Sequence, residues 1–475
     1  MKKLIFVLTL LSFQTFSQQI YQVNEVEKAA EPSGGIAFLN QFIAANIKIP
    51  IKSAAKGMNA KVFVKGIIET DGSMSALEIL RSIDKSNDAE AIRLLSLYRA
   101  WKPALIKGNP VRQVTVFPVS FRTNPIPEFD STENVIIEYF DKNNAPSIEP
   151  EKYKFRNIIP VDKFGFVRDD IQYEERRLNQ WKMVKKIPYE KKEIWAHISG
   201  NEKVDSIRAF RISARMDNYE SAYEEVIVQS DEKLLSHSTY PGAGRPPITG
   251  KFYFLSGMLK ENLVDADGLI KTTKWYDNGH IHSILELGSG KGTVIKNVWE
   301  RSGEQIVKDG NGWAKIDGNS YNRHSTYEEG KVVSGNKSGR WTTRLADSTL
   351  LFEEFYEDGK LIRGIRQNKV EYTNEDNKPA QFKGGPSKMY EFLGTNIKYP
   401  YEASRRKITG RVLISFTVLE DGTLKDYKIE KNAEKSLDEE ALRVIKKSSG
   451  LWEPGTMRGE KMKVRYTLPI NFDIN

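Results

Sequence analysis

A chain of 475 residues exceeds what one hydrophobic core serves, so about two to four domains are expected. Hydrophobic residues at 39% and charged residues at 28% exclude wholesale disorder. The formal charge of +9, or +7 without Lys2 and Lys3, is spread through mixed segments such as "EKSLDEEALRVIKK". With no basic stripe and no nucleic-acid motif, nucleic acid is excluded as a partner. The absence of cysteine excludes disulfides, thiolate zinc sites, cysteine nucleophiles and lipid attachment through a thiol.

The chain opens as an address. Lys2 and Lys3 precede an apolar run from Leu4 to Phe13, and Thr15 and Ser17 supply small side chains for a cut before Gln18, so residues 1–17 read as a cleavable signal peptide. Extended to Phe16, the run still falls short of the roughly 17 to 25 residues of a spanning helix. No later segment is long and apolar enough to span, and the mature chain is expected to be soluble or peripheral.

"PSGGIAFLNQFIAANIKIP", Pro32 to Pro50, is echoed by "FKGGPSKMYEFLGTNIKYP", Phe382 to Pro400. At an offset of 350, Gly34-Gly35, Asn46, Pro50, Asp71-Gly72, Asp88, Glu90, Ala91 and Arg93 meet Gly384-Gly385, Asn396, Pro400, Asp421-Gly422, Asp438, Glu440, Ala441 and Arg443. At 351, Trp101, Pro103, Gly108, Pro118 and Phe121 meet Trp452, Pro454, Gly459, Pro469 and Phe472. One inserted residue over so long a match indicates a duplicated domain, at 24–125 and 376–475.

Between the copies, residues 130–245 read as an α+β region without a functional assignment. Within it, "YEERRLNQWKMVKKIPYEKKEIW" suggests a basic helix followed by a strand. Over 246–375 a phrase of aromatic, acidic turn and glycine recurs, with glycines at Gly257, Gly279, Gly303, Gly330 and Gly359. That period predicts stacked β-hairpins with a turn in each unit. The units resemble MORN-type repeats, best in "GKVVSGNKSGRW" from Gly330 to Trp341, and a spacer is the role this implies.

Catalytic readings fail on composition and spacing. "GSGKGT" from Gly288 to Thr293 lacks the glycine spacing and the Ser or Thr of a phosphate loop, and reads as a turn. His280 and His282 have no third ligand in view and read as surface histidines. His197, His237 and His324 stand alone, and no nucleophile motif is present. The chain is therefore read as a non-enzyme with no cofactor and no metal.

In the C-terminal copy, Met389, Phe392 and Leu393 have the spacing of a short helix over Pro386 to Asn396. Val412, Ile414, Phe416 and Val418 alternate along a strand that turns at Asp421-Gly422 and resumes through Leu424, Tyr427 and Ile429. Ser436, with Glu439 three residues on, reads as the N-cap of a second helix whose buried stripe holds Leu437, Ala441, Leu442 and Ile445. "KVRYTLPINF" is the last strand, and Pro469 places it at a sheet edge. The order αββαβ is a two-layer α+β module. Trp452 and Trp101 read as aromatics closing the two cores, and the paired glycines as backbone devices.

Gly384-Gly385, Tyr399-Pro400, "VLISFTV", Asp421-Gly422, "LDEEALRVI", Trp452, Pro454, Gly459 and "YTLPINF" together resemble the C-terminal domain of the TonB energy-transducer family. The N-terminal copy departs from that pattern with Ile49 before Pro50 and with Ala60 at the start of its first strand. The resemblance implies a periplasmic domain that takes an N-terminal segment of an outer-membrane TonB-dependent transporter as an added β-strand. It points to Lys463, Val464, Arg465, Tyr466, Thr467 and Leu468 as the receiving edge. Lys461, Lys463 and Arg465 also fit an edge merely blunted against aggregation.

The expected fold class is α+β: two such modules flanking a mainly β region of stacked hairpins. The expected function is envelope-partner binding in TonB-linked transport. The alternatives are a membrane-anchored energy transducer and a non-binding envelope scaffold, and a homo-oligomer stays open. No long Pro-rich linker favours the transducer.

Overall fold

The repeated phrase at each end folds into an opening helix with its own locking device. The computed structural model describes residues 19–126, 128–197, 206–214, 222–242, 246–288, 292–318 and 325–473; the expected signal peptide, His324 and residues 289–291 of "GSGKGT" lie outside these. In the C-terminal copy the helix Gly385–Asn396 buries Met389 and Leu393, with Phe392 partly buried beside them. The Asn396 side chain turns back to donate to the Phe392 carbonyl at 2.8 Å, satisfying one of the helix's last acceptors.

Glu440 and Arg443, on the second helix Lys435–Lys447, complete the lock. The Glu440 carboxylate accepts from the Lys398 amide and pairs with Arg443, whose guanidinium donates to the Asn396 carbonyl at 2.7 Å. Asn46, Glu90 and Arg93 repeat each contact in the N-terminal copy, with Arg93 donating to the Asn46 carbonyl at 2.8 Å. The duplicated residues are thus a helix-capping circuit.

The hairpin Gly410–Val418 and Leu424–Lys431 places Val412, Ile414, Phe416 and Val418 in the core at 0% exposure. Its turn is wider than a two-residue Asp-Gly loop. The Gly422 amide donates to the Leu419 carbonyl and the Leu419 amide to the Thr423 carbonyl, both at 2.9 Å, while Gly422 alone takes a positive φ, +81°. A Cβ on Gly422 would lie 2.2 Å from the Trp452 carbonyl, so glycine is required by close approach of the W-x-P loop as well as by φ. Trp452 closes this core, 1% exposed, between Phe382, Phe416 and Tyr466.

Ser436 is not the cap of the second helix. Glu434 occupies that position and its carboxylate accepts from the Ser436 amide at 2.9 Å. The buried stripe is Leu437, Ala441, Val444 and Ile445, with Leu442 only partly buried.

The chain divides into two compact units, Met1–Pro125 with Asn278–His280, and Ile126–Asp277 with Ile281–Asn475. The first holds the N-terminal module, whose sheet runs Ile20–Tyr21, Asn109–Thr123, Met58–Ile68, Met74–Arg81. Its helices Ile36–Asn46 and Lys85–Leu97 bury Leu39, Phe42, Leu94 and Leu95.

The second unit holds a five-stranded antiparallel sheet from Phe129 to Ile187, a sixteen-stranded sheet from Tyr189 to Tyr372 and the C-terminal module. The sixteen strands follow chain order as an antiparallel meander, and this sheet begins well before the repeats read from the sequence. The basic helix expected from Tyr173 is instead the strands Ile171–Arg177 and Gln180–Ile187, and the strand expected after it is Tyr189–His197. Among the described residues of 130–245 the only helical piece is one 3-10 turn, Pro150–Lys152. Gly257, Gly279, Gly303 and Gly359 sit in turns at positive φ. Gly330 does not: it lies within the strand Thr326–Val333, where a Cβ would come 2.5 Å from the Trp341 ring.

A charge cluster joins the C-terminal module to the last strands of the large sheet. The small hairpin Gly455–Met457 and Glu460–Met462 presents Arg458 at its tip, at φ +53°. Arg458 donates to Glu354 at 2.8 Å, lies 3.6 Å from Glu328 and sits over the Phe352 ring. The Tyr372 and Tyr356 hydroxyls donate to the same Glu354 at 2.7 and 2.8 Å, and Arg366 pairs with Glu460.

Candidate partner-binding edge

The strand Val464–Phe472 is the end of a three-stranded sheet. Its only ladder is to Gly410–Val418, from Val418 opposite Val464 to Gly410 opposite Phe472, and beyond that strand lies Leu424–Lys431. Among the described residues nothing pairs with the other side of Val464–Phe472. Lys463, placed in this strand by the sequence pattern, lies just before it, separating it from Glu460–Met462.

Five of the six expected residues therefore form the first half of the edge strand. Leu468 is buried, Val464 and Tyr466 are half-buried against the core, and Arg465 and Thr467 are exposed. Pro469 has no N–H, and a proline sits at an edge with its nitrogen toward the open side. By the two-residue alternation of an antiparallel ladder, Arg465 and Thr467 then direct their backbone groups outward and Tyr466 and Leu468 inward.

The Arg465 side chain is committed to the sheet face. It donates to Ser415 Oγ at 2.6 Å and pairs with Glu430 at 3.1 Å, spanning to the far strand. Burial opposes ionisation of Glu430, but hydrogen bonds from Lys428, Ser415 and Arg465 outweigh it and hold the carboxyl below its usual range. The charges that would blunt the open side are thus reduced to Lys461 and Lys463. The other edge of the sheet is Leu424–Lys431, which contains no proline to mark it in the sequence.

Among the described residues, the histidines singled out in the sequence do not assemble into a site. His280 and His282 are 1% and 7% exposed, so they are buried rather than surface histidines. Burial pushes the His282 imidazole down, and its Nε2 lies 3.2 Å from the Lys315 carbonyl. Among the described residues no group of histidine and carboxylate side chains could hold a metal ion. An open cavity of about 1150 Å³ is lined by Glu354, Tyr356 and Arg458, which are bonded to one another, and by Lys360 and Glu375.

The family model for the Gram-negative bacterial TonB protein C-terminal region matches twice, at residues 45–123 and 395–474. The chain belongs to the TonB family. Two NMR solution structures of the Helicobacter pylori TonB C-terminal domain are similar to it. They are 31% and 32% identical and cover 19% and 18% of this chain and 79% and 90% of their own, each with a TM-score of 0.16. No curated protein matches the chain. TonB C-terminal domains are non-enzymatic and transport-related, which places the chain among TonB-like proteins of the cell envelope. Neither match falls on the middle of this TonB-family chain, whose likeness to MORN-type repeats rests on its residues alone.

Proposed function

We propose that this is an exported, periplasmic TonB-family protein that binds extended segments of outer-membrane transporters, or of other envelope proteins, by strand addition at residues 463–468. The observation that carries this reading is the one-sided ladder of Val464–Phe472. An open edge offers main-chain hydrogen bonds to any extended segment, and the half-buried Val464 and Tyr466 offer apolar contacts that select among them. The family match supports the same role.

No helix among the described residues is long and apolar enough to cross a membrane. The alternative reading, an energy transducer, has residues 1–17 retained as its anchor. The mature N-terminus in envelope fractions decides between the two, with Gln18 expected.

Binding itself is tested by titrating the full chain with synthetic N-terminal segments of TonB-dependent transporters and following amide hydrogen exchange. Protection confined to residues 463–468 and the adjoining ladder is expected. Unchanged exchange there would return the domain to a scaffold.

A further inference from the structure

The duplication extends upstream of the family match, and the two copies use that extension differently. Ile20–Tyr21 is followed by the 3-10 turn Val23–Glu25, and Glu371–Tyr372 by Asn374–Asp376, each turn closed by a capping box. Tyr21 and Tyr372 correspond at the offset of 351. In the C-terminal copy the dipeptide pairs antiparallel with Gly364–Ile365 as the last strand of the large sheet. Tyr372 is 2% exposed there and bonded to Glu354, so this segment is committed away from the module's own edge. In the N-terminal copy Ile20–Tyr21 pairs parallel with Arg112 and Gln113 of the strand Asn109–Thr123.

Arg112 and Gln113 are the counterparts of Lys463 and Val464. The segment therefore lies at the start of the strand equivalent to the open edge of the C-terminal copy, and it does not reach Val114 to Phe117, the counterparts of Arg465 to Leu468. Pro118, the counterpart of Pro469, sets the same alternation, in which Arg112 directs its backbone groups outward, toward the segment. The hold is slight: two residue pairs, with Ile20 41% exposed. A contact of a few hydrogen bonds persists because tethering gives the segment an effective concentration on the order of millimolar.

We propose that the edge around Arg112–Gln113 is a second segment-binding site whose resident occupant is the chain's own residues 19–21, so that another extended segment can pair at these two residues only when the resident one is displaced. The site is built from a different strand and filled by a different segment than residues 463–468, so either reading can fail without the other.

The test compares a chain beginning at Gln18 with one beginning at Gln22, which keeps the 3-10 turn, and reads amide hydrogen exchange over residues 110–116. Removal of the segment is expected to raise exchange there by about tenfold, and the synthetic peptide QQIYQVNEV, residues 18–26, is expected to restore protection at the same amides. The variant Ile20→Pro/Tyr21→Pro in the chain from Gln18 should reproduce the rise without shortening the protein, since proline offers no ladder N–H. Exchange unchanged by both alterations, or a rise that the peptide does not reverse, would overturn the proposal.

Discussion

Glu354 is the buried carboxylate on the large sheet that receives Arg458 of the C-terminal module. It is 3% exposed, and burial opposes its charge. Arg458, through charge and hydrogen bonding, and the Tyr372 and Tyr356 hydroxyls more than compensate and hold its carboxyl below the usual range. A carboxyl depressed in the folded state contributes stability that is fully present above its unfolded value, near 4.3 for glutamate, and lost as pH falls through the folded value. Urea midpoints should therefore drop on acidification below about pH 4, and Glu354→Gln should flatten that part of the profile. Arg458→Ala strands Glu354 without its cation, and a cost of about 3–5 kcal/mol is expected. The paired variant Arg458→Met/Glu354→Gln should recover much of it, because no buried charge is then left alone. Equal losses in the single and paired variants would mean that the hairpin tip contributes packing and not charge.

At the scale of elements, the edge strand makes a directional prediction. Thr467→Pro removes an outward N–H and Tyr466→Pro an inward one, so the first should abolish strand addition with little change in thermal midpoint and the second should destabilise the domain. Exchange protection and thermal melting read the two effects separately. Gly330→Ala, by contrast, drives a methyl into the Trp341 ring and should cost about 1–3 kcal/mol. Measured by urea unfolding, a neutral result would show that the ring can move aside.

The modules were legible in the sequence because their periodicity and repeated spacings are local. Asp438, Glu440 and Arg443 could be seen to recur, yet their contacts to Ala433, Lys398 and Asn396 could not, since partners up to 47 residues away leave no local pattern. The cap at Glu434 was missed because Ser436 is the stronger type by propensity, while the chain path puts the helix start two residues earlier. The basic "helix" was misread at Leu178-Asn179. These take φ of +49° and +60° in a tight turn with no glycine to announce it, so two strands joined by that turn looked like one continuous amphipathic run. Gly330 was assigned to a turn because its spacing matched the others, whereas a buried tryptophan was what required it.

For the molecule as a whole, the duplication supplies two similar edges, and the chain occupies them unequally. Both modules retain the capping circuit and the core tryptophan. Only the short segment ahead of each differs in destination, one lying on its own module's edge and the other buried in the large sheet. Of the two equivalent edges, a partner segment in excess should therefore meet one that is free along its full length, at Val464–Phe472. The chain beginning at Gln22 should offer two, because its N-terminal edge has lost its resident strand. Native mass spectrometry of each chain with a transporter-derived segment counts the bound copies directly. One and two are expected, respectively. Two on the intact chain would mean that the resident segment yields to partners without assistance. One on both would mean that the edges select different segments, so that Arg112 and Gln113 in place of Lys463 and Val464 set a specificity of their own.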